Sequence, residues 1–283
     1  MKRHQSFIEP IARLYLVATP IGNLSEMSPR ALEVLGDVDY IACEDTRVSG
    51  QLLKHFNIKK PLLVCHEHNE LLASNEIIGL LHDQKKIAYV SDAGYPGISD
   101  PGRRLVAHAL DSNIKVSVIS GPSAILNALV ASGLDSDHFY FHGFLPSKAT
   151  ARKGDLTALY LRPETLIFYE APHRILATLK AMRDYLGNRK ACIARELTKK
   201  FEEYVYGTLN ELAELDSDSL KGEMVIVVEG NRDELQTKIG DDEIMRFIQS
   251  LTDVGVSTKD AIRQASGVLK VNKNYIYKLM HRS

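Results

Sequence analysis

The chain has little cysteine. Its 283 residues contain three, Cys43, Cys65 and Cys192, and no two form a C-x-x-C pair. That argues against a disulfide framework or a thiolate metal site and for a reducing cytosol. No stretch approaches 18 consecutive apolar residues, so no membrane span is expected. Lys2 and Arg3 make the start basic, but no apolar run follows them, so a signal peptide is not expected and a cytoplasmic protein is. Motifs are missing too. The first strand-like run lacks a following G-x-G-x-x-G, which disfavours a dinucleotide Rossmann site, and the absence of G-x-x-x-x-G-K-[ST] rules out a P-loop NTPase. Ser123, in Gly-Pro-Ser-Ala-Ile, lacks the second glycine of a nucleophile elbow. Cys65-His66-Glu67-His68 misses H-E-x-x-H spacing and reads as a strand end and exposed turn, so no metal is expected.

What is present is ordinary in bulk: 45% hydrophobic and 25% charged residues, enough chain for two medium domains or one large one. The net charge of −1 averages unlike regions. Residues 202–243 hold thirteen acids against three bases, whereas residues 257–283 hold six Lys and Arg against one acid, Asp260. A basic tail on a neutral chain points to a polyanionic partner for that tail.

The apolar pattern centres on residues 90–102, where three glycines and two prolines separate a buried strand at 86–90 from helical spacing at 103–110. Asp100-Pro101 reads as the helix start, with Asp as cap. This loop exceeds the usual two to six residues of a βα turn, which favours a ligand loop. Further strands are predicted at 14–19, 40–43, 62–65 and 115–119, with helices between them, so the first part is a mostly parallel, doubly wound sheet. The pattern changes near Gly121. A second α/β unit follows, with strands at 139–142, 166–169, 191–194, 204–207 and 224–228 and helices at 154–161 and 173–186. The predicted organisation is a loose arm at 1–13, α/β domains at 14–120 and 121–236, a polar linker within 231–240, and a helix-turn-helix-like segment at 237–283.

Several strand-end loops then share one sheet edge: Thr19-to-Asn23, Glu44-to-Arg47, Asp92-to-Pro96 and Gly121-to-Ala124. The second unit adds Tyr169-to-Arg174 and Arg195-to-Lys199. Each has a bland reading alone, since Asp92 can cap a turn and Arg47 can pair with Glu44. Together they describe a cleft between two α/β units, a usual place for a ligand.

The runs Leu14-to-Asn23, Ala42-to-Arg47, Ser91-to-Gly102, Gly121-to-Ala124, Gly143-to-Pro146, Phe168-to-Arg174, Ala194-to-Lys199 and Gly222-to-Val225, in this order, resemble the tetrapyrrole-methylase fold family in its small-subunit ribosomal RNA methyltransferases. The resemblance spans essentially the whole chain. It implies two α/β domains with a cofactor cleft between them and a small C-terminal helical domain. It also implies S-adenosylmethionine as cofactor, a cytidine ribose 2′-OH in the decoding region of 16S rRNA as acceptor, and a homodimer. Methylation of a small tetrapyrrole-like substrate, or a non-enzymatic nucleic-acid-binding protein, are the other readings.

Carried over by position, the resemblance implies that Pro20, Ile21, Asp92, Gly94, Tyr95, Ser123, Ala124, Tyr169, Met224 and Val225 border the cofactor. Tyr95 stands where the family pattern leads one to expect Thr, and Ser120 where it leads one to expect Pro. A 2′-OH is a weak acid, so a base or nearby cation should help. Glu44, Asp45, Glu170, His173 and Glu196 are candidates, with Arg47, Arg174, Arg195 and Lys199 as cationic partners. Glu170 and His173 rank first because they are expected to begin a helix beside the cleft. In the tail, Lys259, Arg263, Lys270, Lys273 and Lys278 are expected to meet RNA phosphates and Tyr275 to stack on bases. Tyr275, Ile276 and Leu279 can also serve as that segment's core.

Overall fold

The computed structural model describes residues 13–216, 220–231, 241–253, 255–269, 271 and 273–280. Residues 1–12 of the expected arm, linker residues 232–240 and Lys270 lie outside them. The chain divides into two compact units after Gly230.

The first sheet takes five parallel strands, β1 (Arg13–Val17), β2 (Tyr40–Cys43), β3 (Leu62–Val64), β4 (Ile87–Val90) and β5 (Lys115–Ile119), in the order β3-β2-β4-β1-β5. Its central strands are apolar throughout because helices cover both faces. Helices α1 (Pro29–Asp37) and α2 (Thr46–His55) pack on one face, and α3 (Glu70–His82) and α4 (Arg103–Asp111) on the other. Local signals start α1 and α2. Ser28 Oγ accepts from Ala31 N with Pro29 in the first turn, and Asp45 accepts from Arg47 N.

Asp100-Pro101 does not start α4. The cap is Gly102, at φ +129°, and it has no side chain to offer. A Cβ there would stand 2.7 Å from the Tyr89 ring, so the position needs glycine. The cap function comes from across the fold. The buried Glu70 Oε1 accepts from Gly102 N at 3.0 Å, Arg104 N at 3.0 Å and Leu105 N at 3.3 Å. One carboxylate thus takes three of the donors that a helix N-terminus leaves open.

Helix α5 (Ala124–Ser132) follows β5. It is an element beyond those the sequence pattern predicts. Ser123 Oγ caps it and Gly133 ends it at φ +67°. It packs on the second sheet, whose strands are β6 (Phe139–Phe144), β7 (Thr165–Glu170), β8 (Lys190–Arg195), β9 (Glu203–Thr208) and β10 (Met224–Val228), in the order β6-β7-β10-β8-β9. Only β6 and β7 are parallel; the other pairs are antiparallel. Helices α6 (Ala149–Leu159), α7 (Ile175–Leu186) and the short α8 (Leu209–Leu212) cover the opposite face.

The second unit has three helices, α9 (Asp241–Asp253), α10 (Thr258–Leu269) and α11 (Lys273–Met280), around Ile244, Ile248, Ile262 and Ile276. Ile276 is core, as its spacing predicts. Tyr275 is not: it is 45% exposed, and its hydroxyl donates to Asp241 at 2.6 Å. Among the described residues no helix is long and apolar enough to cross a membrane.

Candidate active site

The parallel strands of the first sheet deliver their loops to one edge, and short contacts tie those loops together. Thr19 and Gly94 exchange backbone hydrogen bonds at 2.9 and 3.0 Å, with Gly94 at φ +75°. Gly121 rests on Ala18 so closely that a Cβ would meet Ala18 Cβ at 2.9 Å. Tyr95 Oη accepts from Gly121 N at 3.2 Å, so the departure at position 95 has a use: the phenol joins the loop after β4 to the loop after β5.

Facing this edge is a cavity of about 600 Å³, within the range that holds cofactor-sized ligands. The second sheet supplies its aromatic wall. Strand alternation alone puts Phe139 and Phe141 on one face and Phe144 on the other. A register shift between Phe141 and Gly143, with Gly143 at φ +82°, inserts one residue and turns Phe144 back to the same face. Tyr169 then packs edge-on to Phe141 at 5.0 Å and against Phe144 at 5.5 Å. Burial first, then Asp100 and Glu223, pushes the Tyr169 phenol up to about 12.

The polar lining is acidic. Burial, with Glu44 and Asp92 nearby, raises Asp100 to about 6. Burial and the same neighbourhood also raise Glu44 and Asp92. Asp45 differs, because hydrogen bonds from Arg47 hold it down at about 2, and Arg47 pairs with Asp45 at 2.6 Å rather than with Glu44. Beside the cavity Lys199 Nζ bonds Glu196 at 3.0 Å and Glu223 at 2.9 Å. Burial pulls the ammonium down, but the two carboxylates outweigh it and hold Lys199 above its ordinary range.

Among the expected cofactor residues, Ile21, Gly94, Tyr95 and Ser123 line the cavity from the first sheet's loops. Ala124 lines it from the first turn of α5, and Tyr169, Met224 and Val225 from the second sheet. Pro20 is buried and Asp92 is exposed, and neither reaches the lining. The catalytic candidates scatter. Glu44, Arg47, Glu196 and Lys199 lie outside the lining, the last two joined to it through Glu223.

Glu170 sits at the cavity edge, but alternation along β7 sends its carboxylate to the helix-covered face. There Oε2 accepts from Thr178 Oγ1 at 2.5 Å, Oε1 accepts from Ala171 N at 2.8 Å, and Arg174 pairs with it at 3.2 Å. His173 is exposed and away from the lining, and α7 begins only at Ile175. Neither residue begins a helix at the cleft. Sequence reading missed Phe139, Phe141, Phe144, Asp100 and Glu223 as lining. The spacing of the three phenylalanines hides a bulge, and Asp100 was spent on a local cap. In the second unit Lys259, Arg263, Lys273 and Lys278 are exposed, and Arg263 pairs with Asp260 at 3.0 Å.

The sequence profile of the tetrapyrrole (corrin/porphyrin) methylases matches residues 13–213. The chain belongs to the tetrapyrrole methylase family. Within it, proteins named ribosomal RNA small subunit methyltransferase I are similar over nearly full length. That of Synechocystis is 43% identical, covering 94% of this chain and 96% of its own. That of Bacillus subtilis is 42% identical, with 95% and 94% covered, and that of Pseudomonas aeruginosa 45%, with 93% and 95% covered. Solved tetrapyrrole methylase structures share the fold. The methyltransferase CobJ superposes with a TM-score of 0.59 at 15% identity, covering 77% of this chain and 94% of its own. Uroporphyrin-III-C-methyltransferase from Thermus thermophilus gives 0.54 at 18%, with the same coverage. As a tetrapyrrole methylase, the chain is a methyltransferase, and its cavity is built by the loops that this fold gathers.

Proposed function

We propose that the chain transfers a methyl group from S-adenosylmethionine to a cytidine ribose 2′-OH in the decoding region of 16S rRNA, acting as a cytoplasmic homodimer. The observation that carries this reading is a 600 Å³ cavity of aromatic and carboxylate character, in a chain 42–45% identical to the three rRNA methyltransferases compared above. The lining suits the cofactor. Adenine needs apolar walls, which Ile21, Phe141 and Tyr169 offer, and a cationic sulfonium and ammonium suit Asp100 and Glu223. When bound, the cofactor supplies an electrophilic methyl group. The protein's part is to hold the acceptor oxygen in line and to meet the charge that develops on it. Lys199, held beside the cavity by Glu196 and Glu223, is the candidate cation for that charge and would have to exchange one of those carboxylates for it. Tritiated methyl transfer into small-subunit particles, with a tetrapyrrole and a no-acceptor control, tests the reading. Counts in the tetrapyrrole alone would overturn it.

Glu170 acts as a positioning residue that fixes Arg174 and the 171–174 turn. Glu170→Gln keeps the Thr178 bond and is expected to lower turnover at saturating cofactor by less than tenfold, with the pH profile unmoved. His173→Ala should leave turnover near wild type. A loss of about 10²–10⁴-fold in either variant would restore it as the base.

We assign the basic face of the tail to RNA. Deleting residues 241–283 is expected to weaken binding to the small subunit at least tenfold and to spare cofactor binding. Unchanged affinity for the subunit would remove that role.

A further inference from the structure

The turn joining β8 to β9, residues 196–202, is more constrained than a connection of its length requires. Glu196 at φ +49° and Thr198 at φ +66° both sit in the left-handed region, which non-glycine residues hold only when their surroundings enforce it. The enforcing contacts are present. Glu196 N donates to Glu223 O, Glu202 N to Lys199 O, and Thr198 N to Glu202 Oε2 at 2.5 Å. Lys199 packs across Gly22, where a Cβ would meet its Cγ at 2.5 Å. The turn is therefore fixed to the loop after β1, and its Leu197 forms part of the cavity wall.

On this fixed turn Phe201 is held in water, 65% exposed. Lys200 Nζ stands 5.6 Å from its ring centroid, and Lys200 joins no ion pair among the described residues. The neighbouring cations are committed: Lys199 to Glu196 and Glu223, and Arg195 to Glu203. A flat apolar ring and one available cation thus share a rigid turn with a wall of the cavity. The surround is charged, with Lys199, Lys200, Glu202 and Glu203 in sequence, which suits neither an apolar helix nor a lipid surface. It does suit a nucleotide, whose base offers a π-face to the ring and whose phosphate takes the ammonium.

We infer that Phe201 and Lys200 form a stacking platform for an unpaired base adjoining the acceptor nucleotide in single-stranded RNA. This rests on the RNA-methylating reading above. Phe201 takes the base face, Lys200 the neighbouring phosphate, and the strained turn keeps both in register with the cavity.

The chain contains no tryptophan, so Phe201→Trp in the full-length protein places a sole fluorophore at the platform. Its emission should be quenched by small-subunit particles and by a short single-stranded oligoribonucleotide, and not by the same sequence annealed as a duplex. Phe201→Ala should raise KM for small-subunit particles about tenfold, with cofactor Kd unchanged, and Phe201→Tyr should restore KM. Unquenched emission at saturating RNA, or a wild-type KM in Phe201→Ala, would overturn the platform while leaving the RNA reading intact. A smaller sedimenting species for Phe201→Ala would also overturn it, by making Phe201 a subunit contact. Wild-type protein that methylates no RNA would instead remove the reading on which the platform rests.

Discussion

Glu70→Ala is expected to lower the stability of the first unit by about 3 kcal/mol. The carboxylate is buried and accepts from three backbone N–H groups at the start of α4, none of which has another cap. Removing it leaves two buried donors and a part-buried one without that acceptor and takes a negative charge from a helix N-terminus. For a unit of this size the melting temperature should fall by about 6–12 °C. Glu70→Gln should recover part of that, because an amide oxygen still accepts but carries no charge. The effect should reach the cavity as well. Asp100 and Gly102 lie in the segment that Glu70 pins, so cofactor affinity should fall in the Ala variant at temperatures where the fold persists. Thermal unfolding with and without cofactor measures both. A melting temperature within 2 °C of wild type would show that water replaces the carboxylate without cost.

That long-range cap also shows where sequence reading stops. The central strands of the first sheet were legible because strands buried on both faces are apolar throughout, and the ligand loops were legible because Gly and Pro at strand ends leave few other readings. Caps were legible where they act locally, as Ser28 does for α1 and Asp45 for α2. Glu70 lies 32 residues before the glycine it caps, so no local pattern carries the signal, and Asp100-Pro101 took its place. The same holds for the aromatic wall. Phe139, Phe141 and Phe144 look split between two faces until a bulge that the sequence does not announce puts them on one. Glu170 misled in the opposite direction. As an acid expected to begin a helix beside the cleft it read as catalytic, yet its position at the end of β7 aims it at Thr178. Of the residues that the family resemblance places at the cofactor, Ile21, Gly94, Tyr95, Ser123, Ala124, Tyr169, Met224 and Val225 line the cavity. The catalytic expectations depend on side-chain direction, which spacing alone does not supply.

Asp100→Asn is expected to weaken cofactor binding about tenfold at pH 7.5 and to flatten its pH dependence. The wild-type carboxyl titrates at about 6, raised chiefly by burial and then by Glu44 and Asp92. A cationic ligand favours the ionised form, so wild-type affinity should rise as pH increases from 5 to 7 and level off above it. The asparagine variant has no charge to develop and should show little slope over that window. Stability runs the other way. An acid whose folded value lies above its unfolded value near 3.9 holds more protons when folded, so its contribution is full at low pH. It is lost as pH rises from about 4 to about 6. The group is partly exposed, so screening limits the effect to about 1 kcal/mol. Above pH 7, then, the asparagine variant should be as stable as wild type or slightly more so, while binding the cofactor less well. Calorimetric titration at pH 5, 6, 7 and 8, beside unfolding at the same values, separates the two effects. Parallel affinity slopes in both proteins would place the titrating group elsewhere. Destabilisation of the variant at pH 8 would mean that the ionised carboxylate, through its bond with Ser91, holds the loop rather than strains it.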